Sequence, residues 1–243
     1  MRFTSDSASH GVREQLFELG DVPGVVWTPD GAGGTRPLIV MGHGGGRHKK
    51  DPELETRARR LVAECGFAVV AVDVPGHGDR PVDEELNRIA DENRARVEAG
   101  EDIAVLIAEF QAMVARRTVP EWRSTVDALQ RLEHVGACPV GYWGISLGCG
   151  LGVPFVAAEP RVRAAVLGLG GVTAKAQDAA RITVPLQFLL QWDDERVPRS
   201  RALALFDAFG SAEKTLHVNP GRHAEIPDFE DDSMLRFFAR HLH

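Results

Sequence analysis

The stretch Val140-Gly141-Tyr142-Trp143-Gly144-Ile145-Ser146-Leu147-Gly148 decides how this chain is read. Val140 to Trp143 has the pattern of a buried strand, and it runs straight into Gly144-x-Ser146-x-Gly148. Small residues follow to about Ala158 and read as a helix. By composition alone the pentapeptide turns up in roughly one such chain in ten. Its place between a strand and a helix is what gives it weight, because a sharp strand-to-helix turn pushes the serine hydroxyl out above a sheet. A Cβ at either glycine would collide with the neighbouring strand or helix. The turn also puts the Leu147 N–H at a helix N-terminus, where it favours a negative oxygen.

The same alternation extends in both directions. Leu38-Ile39-Val40-Met41, Phe67 to Val72, Val162 to Leu169 and Pro185 to Gln191 are short apolar runs of the kind buried on both faces of a parallel sheet. Helices are expected over 52–65, stopped by Gly66, and over 121–134, 199–209 and 230–241, with a short strand at 214–218. Residues 12–19 and 22–28 read as an opening hairpin, and Asp30-Gly31-Ala32-Gly33-Gly34 as a loop. Strand alternating with helix from residue 38 onward predicts an α/β architecture: a mostly parallel twisted sheet with helices on both faces. Ligands then bind outside the C-terminal strand ends.

Residues 80–120 break the alternation. Asp83 to Glu98 is strongly charged, and Ile103, Ile107, Phe110 and Val114 recur at helical spacing. Two helices forming a lid over the strand ends are expected, with Phe110 or Met113 nearest the substrate. A plain surface insertion is the other reading.

Composition bounds the rest. With 243 residues, the chain is long enough to bury roughly 70% of its unfolded surface, as one domain with an insertion. A net charge of −7 speaks against nucleic acid as a partner and says nothing useful about substrate. No apolar run reaches membrane-spanning length, and the first residues lack the apolar stretch of a signal peptide, so no membrane partner and a cytoplasmic setting are expected. Cys65, Cys138 and Cys149 are too few for a disulfide framework and have no zinc-site spacing. Neither a metal nor an organic cofactor is implied, and oligomeric state is not encoded in any motif.

A serine hydroxyl is a poor nucleophile until a base takes its proton, and the base needs a carboxylate to orient it. On this fold the chain order is Ser, acid, His. Asp193 and Asp194 both stand just past a strand end. His223 lies in a loop beyond the last strand, whereas His217 lies inside that strand and His241 and His243 close the chain. His223 is the expected base, with His217 behind it. Gly42-His43-Gly44-Gly45-Gly46 follows the first buried strand, and its bare backbone suits an oxyanion hole. Gly45 is the expected donor beside Leu147, with Gly44 close behind, and His43 is read as structural. Arg47-His48-Lys49-Lys50 is a solvated basic loop or a grip for a substrate carboxylate. Cys149 reads as a small buried hydrophobe. Trp143 and Trp192 either line a pocket or pack the core.

Taken together these residues resemble the α/β-hydrolase superfamily, and within it the dienelactone-hydrolase-like and small-esterase group. The resemblance covers nearly the whole chain. It rests on His43-Gly44-Gly45-Gly46, Asp73-x-Pro75-Gly76-His77-Gly78, Gly144-x-Ser146-x-Gly148, Asp194-x-x-Val197-Pro198 and Gly221-x-His223. It implies that Asp194 rather than Asp193 is the acid and that His77 shapes a turn. Dienelactone hydrolases use a cysteine nucleophile where this chain has Ser146. The expected activity is a serine hydrolase acting on a small-molecule carboxylic ester through an acyl-enzyme. A thioesterase, a lactonase or a receptor on a hydrolase scaffold would use the same residues.

Overall fold

Each central strand splits its side chains between two cores. In β4 (Leu38–Gly42), Leu38 and Val40 enter one apolar cluster, and Ile39 and Met41 enter the other. Period-two side chains buried on both faces produce the unbroken apolar runs seen in the sequence. The computed structural model describes residues 1–31, 33–171 and 176–243, so Ala32 of the expected 30–34 loop lies outside them.

Among the described residues the strands form one sheet in the order β1-β2-β3-β5-β4-β6-β7-β8-β9. Besides β4 these are β1 (Arg2–Ser9), β2 (Val12–Leu19), β3 (Val22–Pro29), β5 (Ala68–Val72), β6 (Val140–Ile145), β7 (Val162–Gly168), β8 (Leu186–Gln191) and β9 (Lys214–Asn219). The pairings β1–β2, β2–β3 and β3–β5 are antiparallel, and the rest of the sheet is parallel. One face is covered by α1 (Pro52–Cys65) and α7 (Phe229–Leu242), which supply Leu61 and Phe238. The other carries α4 (Leu147–Ala158), α6 (Arg199–Ala208) and the second half of α3 (Ile103–Leu129), with Trp122 and Phe155. Helix α1 is bounded as its ends dictate: Asp51 accepts the Glu53 N–H, Pro52 opens the first turn, and Gly66 ends it at φ 72°.

Three elements differ from the sequence expectation. Strand β1 carries no apolar alternation, because all eight of its residues are exposed. Its ladder to β2 and the cross-strand pairs Arg2–Glu18 and Asp6–Arg13 hold it at the sheet edge. The two helices expected on either side of Pro120 are one helix, α3, which runs through the proline and stops at Leu129 rather than 134. Proline there lacks the N–H that would bond one turn back and its ring crowds the carbonyl of that turn, and burial of Val114, Trp122 and Val126 on either side offsets this cost. The short α5 (Ala176–Arg181) had no clear periodic signal.

The insertion between β5 and β6 is α2 (Glu84–Glu98) followed by α3. Leu86 is the one buried residue of α2. No helix of the described residues is long and apolar enough to cross a membrane.

Candidate active site

The C-terminal ends of the parallel strands gather the chemistry-bearing residues. Ser146 follows β6 at φ 55° and ψ −117°, an unfavourable conformation for a residue with a side chain. The turn is tight enough to specify its flanks. A Cβ on Gly148 would lie 2.2 Å from the Gly42 carbonyl oxygen of β4, and one on Gly144 would lie 2.7 Å from the Gly148 backbone. The Tyr142 hydroxyl donates to the Gly148 carbonyl at 2.6 Å and ties the helix start to its own strand.

Three sequence-derived candidates meet in one hydrogen-bonded chain. Ser146 Oγ donates to His223 Nε2 at 2.9 Å, and His223 Nδ1 donates to Asp194 Oδ2 at 2.8 Å. A carboxylate only accepts, so the ring proton sits on Nδ1 and the Nε2 lone pair faces the serine. Asp194 Oδ1 accepts the Arg196 and Val197 N–H groups at 2.8 and 2.9 Å. Burial pushes the Asp194 carboxyl up, but the His223 ring and these two N–H groups outweigh it and hold it below the usual carboxylate range. Asp193 is exposed, and its backbone N–H bonds the Gly221 carbonyl. His217 pairs instead with Glu230 at 2.8 Å.

Glu195 was not singled out by any motif. Its carboxylate accepts the backbone N–H of His223 at 3.0 Å and pairs with Arg222 at 3.5 Å. The His223 N–H is the main reason its carboxyl sits at about 2. Consecutive carboxylates therefore hold the same histidine, Asp194 by its ring and Glu195 by its backbone. Glu195→Ala should lower kcat roughly fivefold with little change in KM, whereas Glu195→Gln, which keeps an acceptor oxygen, should stay near wild type. Steady-state kinetics of the two variants check this.

Gly45 and Leu147, the expected oxyanion donors, are neighbours across the serine. A Cβ on Gly45 would stand 3.9 Å from that of Leu147. Leu147 opens α4, and the first N–H groups of a helix have no partner within it. The loop carrying Gly45 is clamped from below. His43 Nδ1 donates to the Gly44 carbonyl at 2.9 Å, and His43 Nε2 accepts the Val74 N–H at 3.2 Å. Burial lowers the ring pKa to about 4, consistent with a neutral structural histidine. Deeper still, the fully buried Asp73 carboxylate takes the Lys49 N–H, the Lys49 ammonium at 2.6 Å and the Asp79 N–H.

That network corrects the reading of the basic run. Lys49 is buried between Asp73 and Asp79, Lys50 pairs with Glu14 and Glu55, and Arg47 pairs with Asp51. The run is neither a simple solvated loop nor a set of free cations. His77 Nδ1 donates to the Pro75 carbonyl of its own turn at 3.1 Å, and the residue also lines the cavity described next.

Ser146 and His223 lie at the junction of two cavities. One, of about 520 Å³, runs beneath α2 and the first half of α3 and is lined by Val97, Ile103, Leu106, Ile107 and Phe110, with Cys149 in its floor. The other, of about 200 Å³, lies on the opposite side of Gly45 against α1. Two expected substrate contacts are displaced from both. Met113 packs against the core that also buries Val114 and does not line either cavity. Trp192 is half exposed on the surface, with the Arg199 guanidinium 3.7 Å from its ring centroid. Trp143 lies in the α1-side core and borders the smaller cavity.

No protein-family model matches the chain, and no curated protein matches it. Solved structures do. The chain is 31% identical to a cold-adapted esterase from an Arctic intertidal metagenomic library, in a polyethylene-glycol-bound complex, with a TM-score of 0.83 and 100% of both chains covered. An acetyl xylan esterase from Paenibacillus sp. R4 shares the fold at 17% identity and a TM-score of 0.71, over 99% of this chain and 88% of that one. A dienelactone hydrolase from Anabaena variabilis ATCC 29413 does so at 19% identity and a TM-score of 0.64, over 96% of this chain and 100% of that one. This protein has the α/β-hydrolase fold and belongs with the esterase that it matches at 31% identity, as a carboxylesterase-like hydrolase.

Proposed function

We propose that the protein cleaves small carboxylic esters through an acyl-enzyme, with Ser146 as nucleophile, His223 as base and Asp194 as its orienting acid. The observation that carries this reading is the unbroken hydrogen-bonded chain from Ser146 Oγ to Asp194 Oδ2. Ser146 Oγ bonds to the ester carbonyl carbon while its proton passes to His223 Nε2. Asp194, an acceptor toward Nδ1, stabilises the imidazolium. The tetrahedral oxygen takes the Gly45 and Leu147 N–H groups, each donor supplying roughly 3 kcal/mol of transition-state stabilisation. The C–O bond to the alcohol then breaks, and the alcohol leaves with the proton from Nε2. Water attacks the acyl-enzyme, gives its proton to the same nitrogen, and releases the acid and free Ser146. Helices α2 and α3 serve as a roof that shields the acyl group from bulk water.

The same residues would cleave a thioester or lactone, and the esterase neighbour at 31% identity favours an oxygen ester.

Activity on p-nitrophenyl esters should fall in acid. Asp194 is held below the usual carboxylate range, so it stays ionised as the pH drops through mildly acidic values. Catalysis needs the Nε2 lone pair to take the serine proton, so the acid limb belongs to the base and not to Asp194. The kcat/KM profile should show one acid limb of unit slope. A rate that stays flat well into acid contradicts a histidine base.

A further inference from the structure

Resting on that reading, we infer that the two cavities divide the substrate, the larger taking an apolar acyl chain and the smaller a hydroxyl-rich alcohol. Both cavities reach Ser146, His223 and Gly45, so an ester whose carbonyl sits on the serine extends one arm into each. Their linings differ: the larger is mostly apolar, while the smaller mixes charged groups with Leu54, Ile145 and Ile226. The larger is walled by aliphatic and aromatic side chains from α2 and α3, among them Val97, Ile107 and Phe110. Its volume is in the range of small-molecule sites, and apolar walls of this kind bury hydrocarbon.

The smaller cavity is edged by charges in matched pairs. Arg47 pairs with Asp51 at 2.9 Å. Arg57 pairs with Asp231 at 2.6 Å and faces Glu53 at 3.7 Å, while its guanidinium lies over the Trp143 ring. Arg47, Arg57 and Arg196 line this cleft beside Asp51 and Glu53, so donors and carboxylate acceptors stand close together in it. A hydroxyl both donates and accepts, so it can bond an arginine N–H and a neighbouring carboxylate together. A short polyol, such as glycerol or a sugar, fits that lining.

The order of events assigns the arms. The alcohol leaves first, taking its proton from His223 Nε2, and water must reach the same nitrogen in its place. A polar cleft that already holds hydroxyls also admits water. The acyl group must stay while this exchange happens, and the apolar cavity retains it.

The test compares four esters: 1-octanoylglycerol, ethyl octanoate, 1-acetylglycerol and ethyl acetate. Wild type should show a glycerol-to-ethyl ratio in kcat/KM of about ten or more, the worth of one or two added hydrogen bonds. Arg47→Ala combined with Glu53→Ala should bring that ratio close to one while the octanoyl-to-acetyl ratio holds. Ile107→Trp should lower the octanoyl-to-acetyl ratio about tenfold while the glycerol-to-ethyl ratio holds. Ratios within one variant cancel any loss of folded protein. A wild-type glycerol-to-ethyl ratio near one overturns the assignment alone, as does Ile107→Trp changing the alcohol ratio instead of the acyl ratio. Hydrolysis of none of the four esters overturns the esterase reading with it.

Discussion

Replacing Ser146 with alanine should lower kcat by on the order of 10⁶. Among the described residues no other hydroxyl bonds His223 Nε2. The attacking oxygen must stand within hydrogen-bond reach of the His223 Nε2 lone pair, and Ser146 Oγ holds that position at 2.9 Å. It must also face the Gly45 and Leu147 N–H groups, which requires the turn at φ 55°. Alanine keeps the turn and the cavities and removes only the oxygen, so the variant should fold as the wild type does. Circular dichroism separates loss of chemistry from loss of structure. A residual rate within a hundredfold of wild type would place the nucleophile elsewhere.

Asp194→Asn should lower kcat by about 10⁴, the larger member of a paired comparison with Asp193→Asn. An asparagine can offer its amide N–H to His223 Nδ1. The ring then accepts there and carries its proton on Nε2, where it cannot take one from serine. The imidazolium also loses the negative charge that stabilises it. The oxygen of the asparagine can still accept from Arg196 and Val197, so the loop geometry is kept. Asp193, by contrast, is exposed and contributes its backbone rather than its carboxylate to the Gly221 contact. Its asparagine variant should retain most of the wild-type rate. The opposite ranking in kcat would move the acid to Asp193.

How much of this was legible in the sequence follows from where each signal lives. Strands buried on both faces announce themselves as apolar runs, because Leu38 to Met41 alternate between two cores and so are apolar throughout. Strand β1 has no buried face, so nothing distinguishes Arg2–Ser9 from a polar tail until its ladder with β2 is seen. Pro120 reads as a helix boundary by its missing N–H, and only tertiary burial on both sides reveals one helix. The turn at Ser146 is legible because its geometry demands glycine at fixed offsets. Chain order and a place past a strand end leave Asp193 and Asp194 both open, the resemblance points to Asp194, and His223 stands out as the loop histidine beyond the last strand.

Other features depend on contacts between distant segments. Lys49 finds its partners 24 and 30 residues away, so the basic run looked uniform in sequence. Glu195 acts on the backbone of a residue 28 positions later, and no local pattern marks that. Phe110 and Met113 both pack from α3 against the same core, and of the two Phe110 also lines the larger cavity. Periodicity identifies a face without saying where along the helix that face stops meeting core and starts meeting ligand.

The central claim is that Ser146 is the residue that becomes acylated. Its most direct test is a fluorophosphonate probe, which reacts with an activated serine, followed by peptide mass spectrometry. The account predicts one adduct, on Ser146, forming in proportion to the loss of esterase activity and suppressed in His223→Ala. An adduct on another residue that tracks the loss of activity, or full activity after Ser146 is completely labelled, would contradict it.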